Sequence, residues 1–176
     1  MGKGEMIPSG MGDIANQRIV SKGEKEKLTP PKSILDVSEI RPHLLLSGFG
    51  CMTQAKVKQL GITHVVDCTN MNNEKKFSGI EYLQVPVEDT NICNVAQYFE
   101  TVAKFIDGAK SKGGRCVVFC AAGISRAPTF TLMTLVINEN LSLKDAYYTV
   151  NKIRPIISPN TGFWEQMIAF EASKRG

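Results

Sequence analysis

Between Cys116 and Ile137 the chain reads CVVFCAAGISRAPTFTLMTLVI. A short apolar, β-branched run, CVVF, meets a loop of small residues, and an apolar stretch of helical length follows at once. A strand with no polar alternation is buried on both faces, which puts it in the middle of a sheet covered by helices.

The flanking segments repeat that alternation. SEIRPHLLLSG suggests a strand broken at Pro42, then a second short strand at Leu44 to Leu46. MTQAKVKQLG is a short helix with Gly61 as its stop. ITHVVDC and IEYLQVPV are two further strands. From Asn94 to Ala109, Val95, Phe99, Val102 and Ile106 recur at helical spacing. After the central strand come helices at about 127–138, 142–153 and 160–173, the last with Asn160 as a plausible N-cap. Strand, helix and strand in turn imply an α/β fold, with a central, mostly parallel sheet flanked by helices on both sides. Residues 1–33, rich in Gly, Lys and Glu and ending near Pro30-Pro31, read as a flexible tail before a single domain over 34–176.

Ligands of parallel sheets bind beyond the carboxyl ends of the strands, and CAAGISR stands at such an end. Where a strand turns into a helix, several backbone N–H groups lack partners. Curled around one centre they make an anion nest, strengthened by the helix dipole. Ala121, Ala122 and Gly123 are small enough for the backbone to close on a tetrahedral oxyanion, and Ile124 and Ser125 complete the loop. Arg126, six positions after Cys120, supplies a planar fork for two phosphate oxygens. Such a setting favours the thiolate of Cys120, a nucleophile toward phosphorus that needs no metal. The leaving oxygen needs a proton, and Asp89 in VPVEDTNICN is the candidate acid, with Glu88 as its rival. The alternative is a buried cysteine and a structural arginine at an ordinary turn.

CAAGISRAPT resembles the signature of the dual-specificity protein phosphatases, within the cysteine-dependent protein tyrosine phosphatase superfamily. The likeness runs from about Ile34 to Glu171: VPVEDT is similar to the acid loop, and IRPIISPNTGFWEQMIAFE to the end of the small atypical members. It implies the protein tyrosine phosphatase fold and hydrolysis of phosphotyrosine and phosphoserine or phosphothreonine through a cysteinyl-phosphate. It also implies roles: Cys120 as nucleophile, Arg126 and the amides of 121–125 as phosphate holders, Asp89 as acid and then base, and Asn160 as support.

Two residues depart from the family pattern. Phe119 stands where members usually have histidine, and Ala127 where they usually have serine or threonine. A hydrogen bond to a charged group is worth about 1.5–3 kcal/mol, so the missing hydroxyl costs ~10–100-fold in one step. The expectation is a working phosphatase that releases phosphate from the cysteine slowly. The rival is a pseudophosphatase-like module that holds phosphoproteins without turnover. RNA 5′-phosphate or phosphoinositide substrates are less favoured, because the loop interior carries one arginine only.

The remaining features set bounds. Five scattered cysteines, Cys51, Cys68, Cys93, Cys116 and Cys120, read as reduced thiols of a cytoplasmic or nuclear protein. Cys68 ends a strand expected beside the central one, which makes it a possible redox partner of Cys120. Cys116 is roughly 13 Å upstream along its strand, too far to pair. His43 and His64 are isolated and read as structural, so neither a metal site nor another cofactor is expected. A net charge of +4 does not point to nucleic acid, and no apolar run reaches membrane-spanning length. Gly2 does not make a myristoylation site with Met6 where Ser or Thr is wanted. The implied partner is a phosphorylated protein, with oligomeric state open. Trp164, Met167 and Phe170 read as core packing.

Overall fold

A computed structural model describes residues 35–71 and 76–175; the expected tail, 1–33, lies outside them. Five strands form one sheet: β1 (Ser38–Arg41), β2 (Leu44–Gly48), β3 (His64–Asp67), β4 (Glu81–Gln84) and β5 (Cys116–Cys120). Their order is β1-β2-β5-β3-β4. β1 joins β2 antiparallel, while β2, β5, β3 and β4 run parallel, so the sheet is mostly parallel with CVVFC at its centre.

Five helices cover it: α1 (Gln54–Leu60), α2 (Phe99–Ser111), α3 (Arg126–Glu139), α4 (Leu143–Ile153) and α5 (Thr161–Arg175). The two faces are unequal. Leu44, Leu46, Val66, Cys116, Val118 and Cys120 pack into a large core with residues of α2 to α5. Leu45, Val65, Val117 and Phe119 face the smaller cluster around α1. Side chains alternate along a strand, so Phe119 and Cys120 belong to opposite faces.

Local chemistry explains the boundaries. α1 starts where Thr53 caps the amide of Lys56 and stops at Gly61, which takes the left-handed conformation at φ 68°. α3 is buried from Ala127 to Val136, so it runs through the core and shows no polar stripe. Its hydroxyls are satisfied inside: Thr129, Thr131 and Thr134 donate to the carbonyls of Ser125, Ala127 and Phe130.

Two expected elements come out shorter. β4 ends at Gln84 rather than Val87, because Pro86 has no N–H for a ladder, although Val85 and Val87 stay buried. α2 begins at Phe99 after a 3-10 turn at Ala96–Tyr98. The amides of Val95 and Ala96 donate to Gln166 Oε1 on α5 at 2.9 Å, which ties that turn to another helix. His64 bonds Thr63 and stacks edge-on to Phe105, a structural role. Met167 is fully buried, with Trp164 and Phe170 packed against the core. Among the described residues no helix is long and apolar enough to cross a membrane.

Candidate active site

The loop after β5 is held by its carbonyls. Ala121 O accepts from the Phe49 amide at 3.1 Å, Ile124 O from the Ser158 amide at 2.7 Å, and Ser125 O from the Thr129 amide at 3.1 Å. Ala122 O and Gly123 O accept from Nη2 and Nε of Arg154 at 3.2 and 3.0 Å. All five carbonyls from 121 to 125 therefore bond outward. The amides of residues 122–126 have no acceptor among the described residues. A peptide unit whose C=O is fixed on one side presents its N–H on the other, so these donors line a concave cup. Gly123 is needed here. Its φ is 70°, and a Cβ would come within 2.7 Å of Arg154 Nη2 and 2.8 Å of the Ser47 backbone.

Arg154 is the hub of this arrangement and is fully buried. Its Nη1 donates to Asp36 O at 2.7 Å and to Ser38 Oγ at 3.1 Å, which ties β1 to the loop. Burial pulls its guanidinium below the ordinary arginine value, with Cys120 and Asp36 acting the other way.

At the base of the cup lies Cys120, only 3% exposed. Its Sγ accepts the Ala127 amide at 3.3 Å, a donor on the first turn of α3. Ala127 brings its backbone to the sulfur but no hydroxyl. The Phe119 ring lies across the sheet, 5.9 Å from the Phe49 ring centroid.

Arg126 is anchored through Nη1, which donates to Thr69 O at 3.2 Å and Val87 O at 3.1 Å. Nε and Nη2 have no partner among the described residues and remain for a phosphate. Thr69 is fixed in turn by Asp67, whose Oδ1 accepts its amide at 2.9 Å and its hydroxyl at 2.6 Å.

Asp89 closes the cup from the loop after β4. Its Oδ1 accepts from Ser125 Oγ and from Asn160 Nδ2, both at 2.8 Å. Oδ2 is left as the oxygen that can carry a transferable proton. Glu88 instead accepts from Asn70 on the surface, which separates it from the cup. Asn160 serves two ends at once: its Oδ1 accepts the Phe163 amide at 2.9 Å as the N-cap of α5, while its Nδ2 holds Asp89. Asn91 docks the same loop, its Oδ1 accepting from Thr161 Oγ1 at 3.1 Å and the Gly162 amide at 3.3 Å. A Cβ at Gly162 would meet Asn91 O at 2.0 Å, so only glycine lets the loop seat there.

Cys68, one residue past β3, is bonded through its amide to Phe119 O at 2.9 Å and fully buried. Burial pushes its thiol well up, and the nearby Cys120 adds to that. The structure thus brings together Cys120, the 121–126 loop, Asp89, Asn160 and Cys68, and sends the Phe119 side chain elsewhere. The sequence reading did not single out Arg154, Thr69, Asn91 or the Ser125 hydroxyl. An arginine between Ile153 and Pro155 in an apolar stretch was the one available signal.

The catalytic-domain model described as "Dual specificity phosphatase, catalytic domain" matches residues 44–173. Dual specificity protein phosphatase 18 of Mus musculus is 34% identical over 143 residues, which cover 81% of this chain and 76% of that protein. Dual specificity protein phosphatase 14 of Mus musculus is 39% identical over 116 residues, 66% of this chain and 59% of the relative. The crystal structure of DUSP15 superposes with a TM-score of 0.75 at 27% identity, over 78% of this chain and 88% of that one. The human tyrosine phosphatase-like serine/threonine/tyrosine-interacting protein gives 0.72 at 28% identity, over 80% and 98%.

Proposed function

Because the chain belongs to the dual specificity phosphatase family and is a cysteine-dependent phosphatase of phosphotyrosine and phosphoserine or phosphothreonine in proteins, we propose that Cys120, Arg126 and Asp89 carry out that hydrolysis. The phosphate oxygens sit in the 121–126 cup, with two held by Nε and Nη2 of Arg126. The Cys120 thiolate attacks phosphorus, and an S–P bond forms as the bond to the leaving oxygen breaks. Asp89 gives that oxygen the proton from Oδ2. A water then attacks phosphorus, Asp89 takes its proton, and the S–P bond breaks to free phosphate.

The observation that carries this reading is the set of five outward-bonded carbonyls above Cys120. It leaves preorganised donors aimed where charge develops, and they need no rearrangement during reaction. The departures at 119 and 127 act unequally in this account. Ala127 touches the sulfur through its amide alone, so the missing hydroxyl slows the second step. Phe119 lies on the other face and acts through the strand only.

Rapid-quench kinetics with an aryl phosphate test both points. The expected result is a burst of phenol equal to the enzyme, then slow turnover, with phosphocysteine trapped on Cys120. Cys120→Ser should abolish both phases. Single-phase turnover without a trapped intermediate overturns the slow-release reading. Binding of phosphopeptides with no turnover would instead favour a binding module, against which the presence of Cys120, Arg126 and Asp89 in one chain argues.

Two further assignments belong to the same reading. Cys68 is the reserve thiol that captures an oxidised Cys120. The five cysteines, held as thiols, suit a reducing compartment, cytoplasmic or nuclear, where the nucleophile survives. Fractionation of cells carrying the tagged chain tests that location.

A further inference from the structure

Among the described residues, three large apolar side chains are exposed at the end of the sheet that carries the phosphate cup: Phe49, Met71 and Ile92. They follow β2, β3 and β4, which run parallel with β5 and so end on the same side. Each sits on a loop tied to the cup. The Phe49 amide donates to Ala121 O at 3.1 Å. The Met71 amide donates to Thr69 Oγ1 at 3.2 Å, and Thr69 O seats Arg126. Ile92 comes three residues after Asp89, which is bonded to Ser125, and three residues span at most about 10 Å.

Ile92 is the most exposed of the three, at 91%. Its backbone is held on both sides all the same. Asn91 Oδ1 accepts from Thr161 Oγ1 and the Gly162 amide, and Cys93 O accepts from Gln166 Nε2 at 2.8 Å. One exposed apolar residue needs no explanation, but three on separate loops at one cup make a rim that gains by being covered. The acid loop also carries Glu88, exposed beside Asp89, which repels a second negative charge brought to the rim.

The substrate's own chain is what reaches this rim. A phosphorylated side chain that points into the cup leaves its backbone outside, level with the rim. In an extended chain, residues two positions apart point to the same side and lie about 6.6 Å apart. The neighbours two before and two after the phosphorylated residue therefore face the rim, within the span that separates Asp89 from Ile92. We propose that Ile92, with Met71 and Phe49, selects phosphoprotein segments that carry a bulky apolar residue two positions from the phosphorylated one, over segments with an acidic or second phosphorylated residue there. The inference rests on residues 120–126 as the substrate cup and names the class of sequence that the cup serves.

Three phosphotyrosine peptides test it on the full chain. They differ only at the positions two before and two after the phosphotyrosine, which hold leucine, serine or glutamate. The leucine peptide should show kcat/KM about tenfold above the serine peptide, with the glutamate peptide lowest. Ile92→Ser changes an exposed side chain, so the fold should hold, while the preference for leucine over serine falls at least about threefold. Adding Met71→Ser should bring that preference close to one. Equal kcat/KM for the three peptides, or a full leucine preference in Ile92→Ser, overturns the proposal and leaves the chemistry of the cup standing. If no peptide is turned over, the catalytic reading fails by itself, and calorimetric Kd values for the same three peptides decide the rim. Tightest binding of the leucine peptide then supports the proposal; equal Kd values or no binding overturns it.

Discussion

The phosphate loop, 120–126, is held through its backbone, whereas the acid loop that meets it over Cys120 is held through side chains. Every carbonyl from 121 to 125 is bonded, two of them to the buried Arg154. The acid loop rests on Asp89, bonded to Ser125 and Asn160, and on Asn91, bonded at the start of α5. Its tip is bare, with Ile92 91% exposed. The first loop must keep its donors aimed at an oxyanion through both chemical steps, and fixed dipoles do this without reorganisation. The second must give up a proton, let a leaving group out and admit water. Bonds that are few, partly exposed and borne by side chains open at little cost.

Removing Arg154 should break the first loop and give the largest effect. Arg154→Met strands four acceptors, two of them buried, and removes a buried guanidinium, so urea unfolding should show a loss of about 3–5 kcal/mol, and vanadate affinity should drop at least about tenfold in the folded remainder. Unchanged vanadate affinity would show that the loop keeps its form without the arginine. Asp89→Asn probes the other side. It should cut kcat/KM by ~10²–10³ on an alkyl phosphate, whose leaving group needs a proton, and less on p-nitrophenyl phosphate. Vanadate affinity should stay the same, because the cup does not depend on the acid loop. A matching loss of vanadate binding would erase the distinction between the loops.

How much of this was legible in the sequence follows from the same contrast. CVVF followed by CAAGISR fixes a central strand, a turn and a buried helix through local chemistry, and the sheet order agrees. The chain step from Cys120 to Arg126 is also local. Asp89 could be proposed because an acidic loop follows a strand, but its preference over Glu88 rests on Ser125 and Asn160, which lie 36 and 71 residues away. Arg154 was not legible as a support. It contacts backbone carbonyls, which carry no sequence identity, at a separation of 31 residues. Phe119 shows the opposite case. Its side-chain direction follows from strand alternation, so its absence from the thiol side was readable from parity alone.

Ala127→Ser brings a gain rather than a loss. A hydroxyl at this position on the first turn of α3 stands beside Sγ, whose present donor is the residue's own amide. Steady-state turnover should rise by about 10–100-fold while the burst phase keeps its size. A faster burst with an unchanged steady state would put the slow step elsewhere. Asn160 has a smaller effect and separates structure from chemistry. Asn160→Ala should cost about 1 kcal/mol as a lost N-cap and lower kcat roughly tenfold through a loosened Asp89. Asn160→Asp keeps a capping oxygen but sets a carboxylate against Asp89, so stability should hold while kcat falls. If both variants lose stability and rate in proportion, Asn160 acts only as a cap.

Cys68 gives the smallest effect on turnover and the last test of how firmly the phosphate loop is fixed. Hydrogen peroxide converts the Cys120 thiolate to a sulfenic acid with release of water or hydroxide; attack by the Cys68 sulfur then forms the disulfide and releases a second water. Cys68→Ala should leave turnover within about twofold of wild type but remove recovery by dithiothreitol after peroxide. Burial holds the Cys68 thiol well above its ordinary value, so at neutral pH it is almost wholly protonated. Capture should therefore quicken as pH rises, because the attacking thiolate grows with pH. Mass spectrometry of a Cys68–Cys120 peptide across pH measures this directly. No such peptide at any pH would mean that a loop bonded at every carbonyl from 121 to 125 does not yield enough for the two sulfurs to meet.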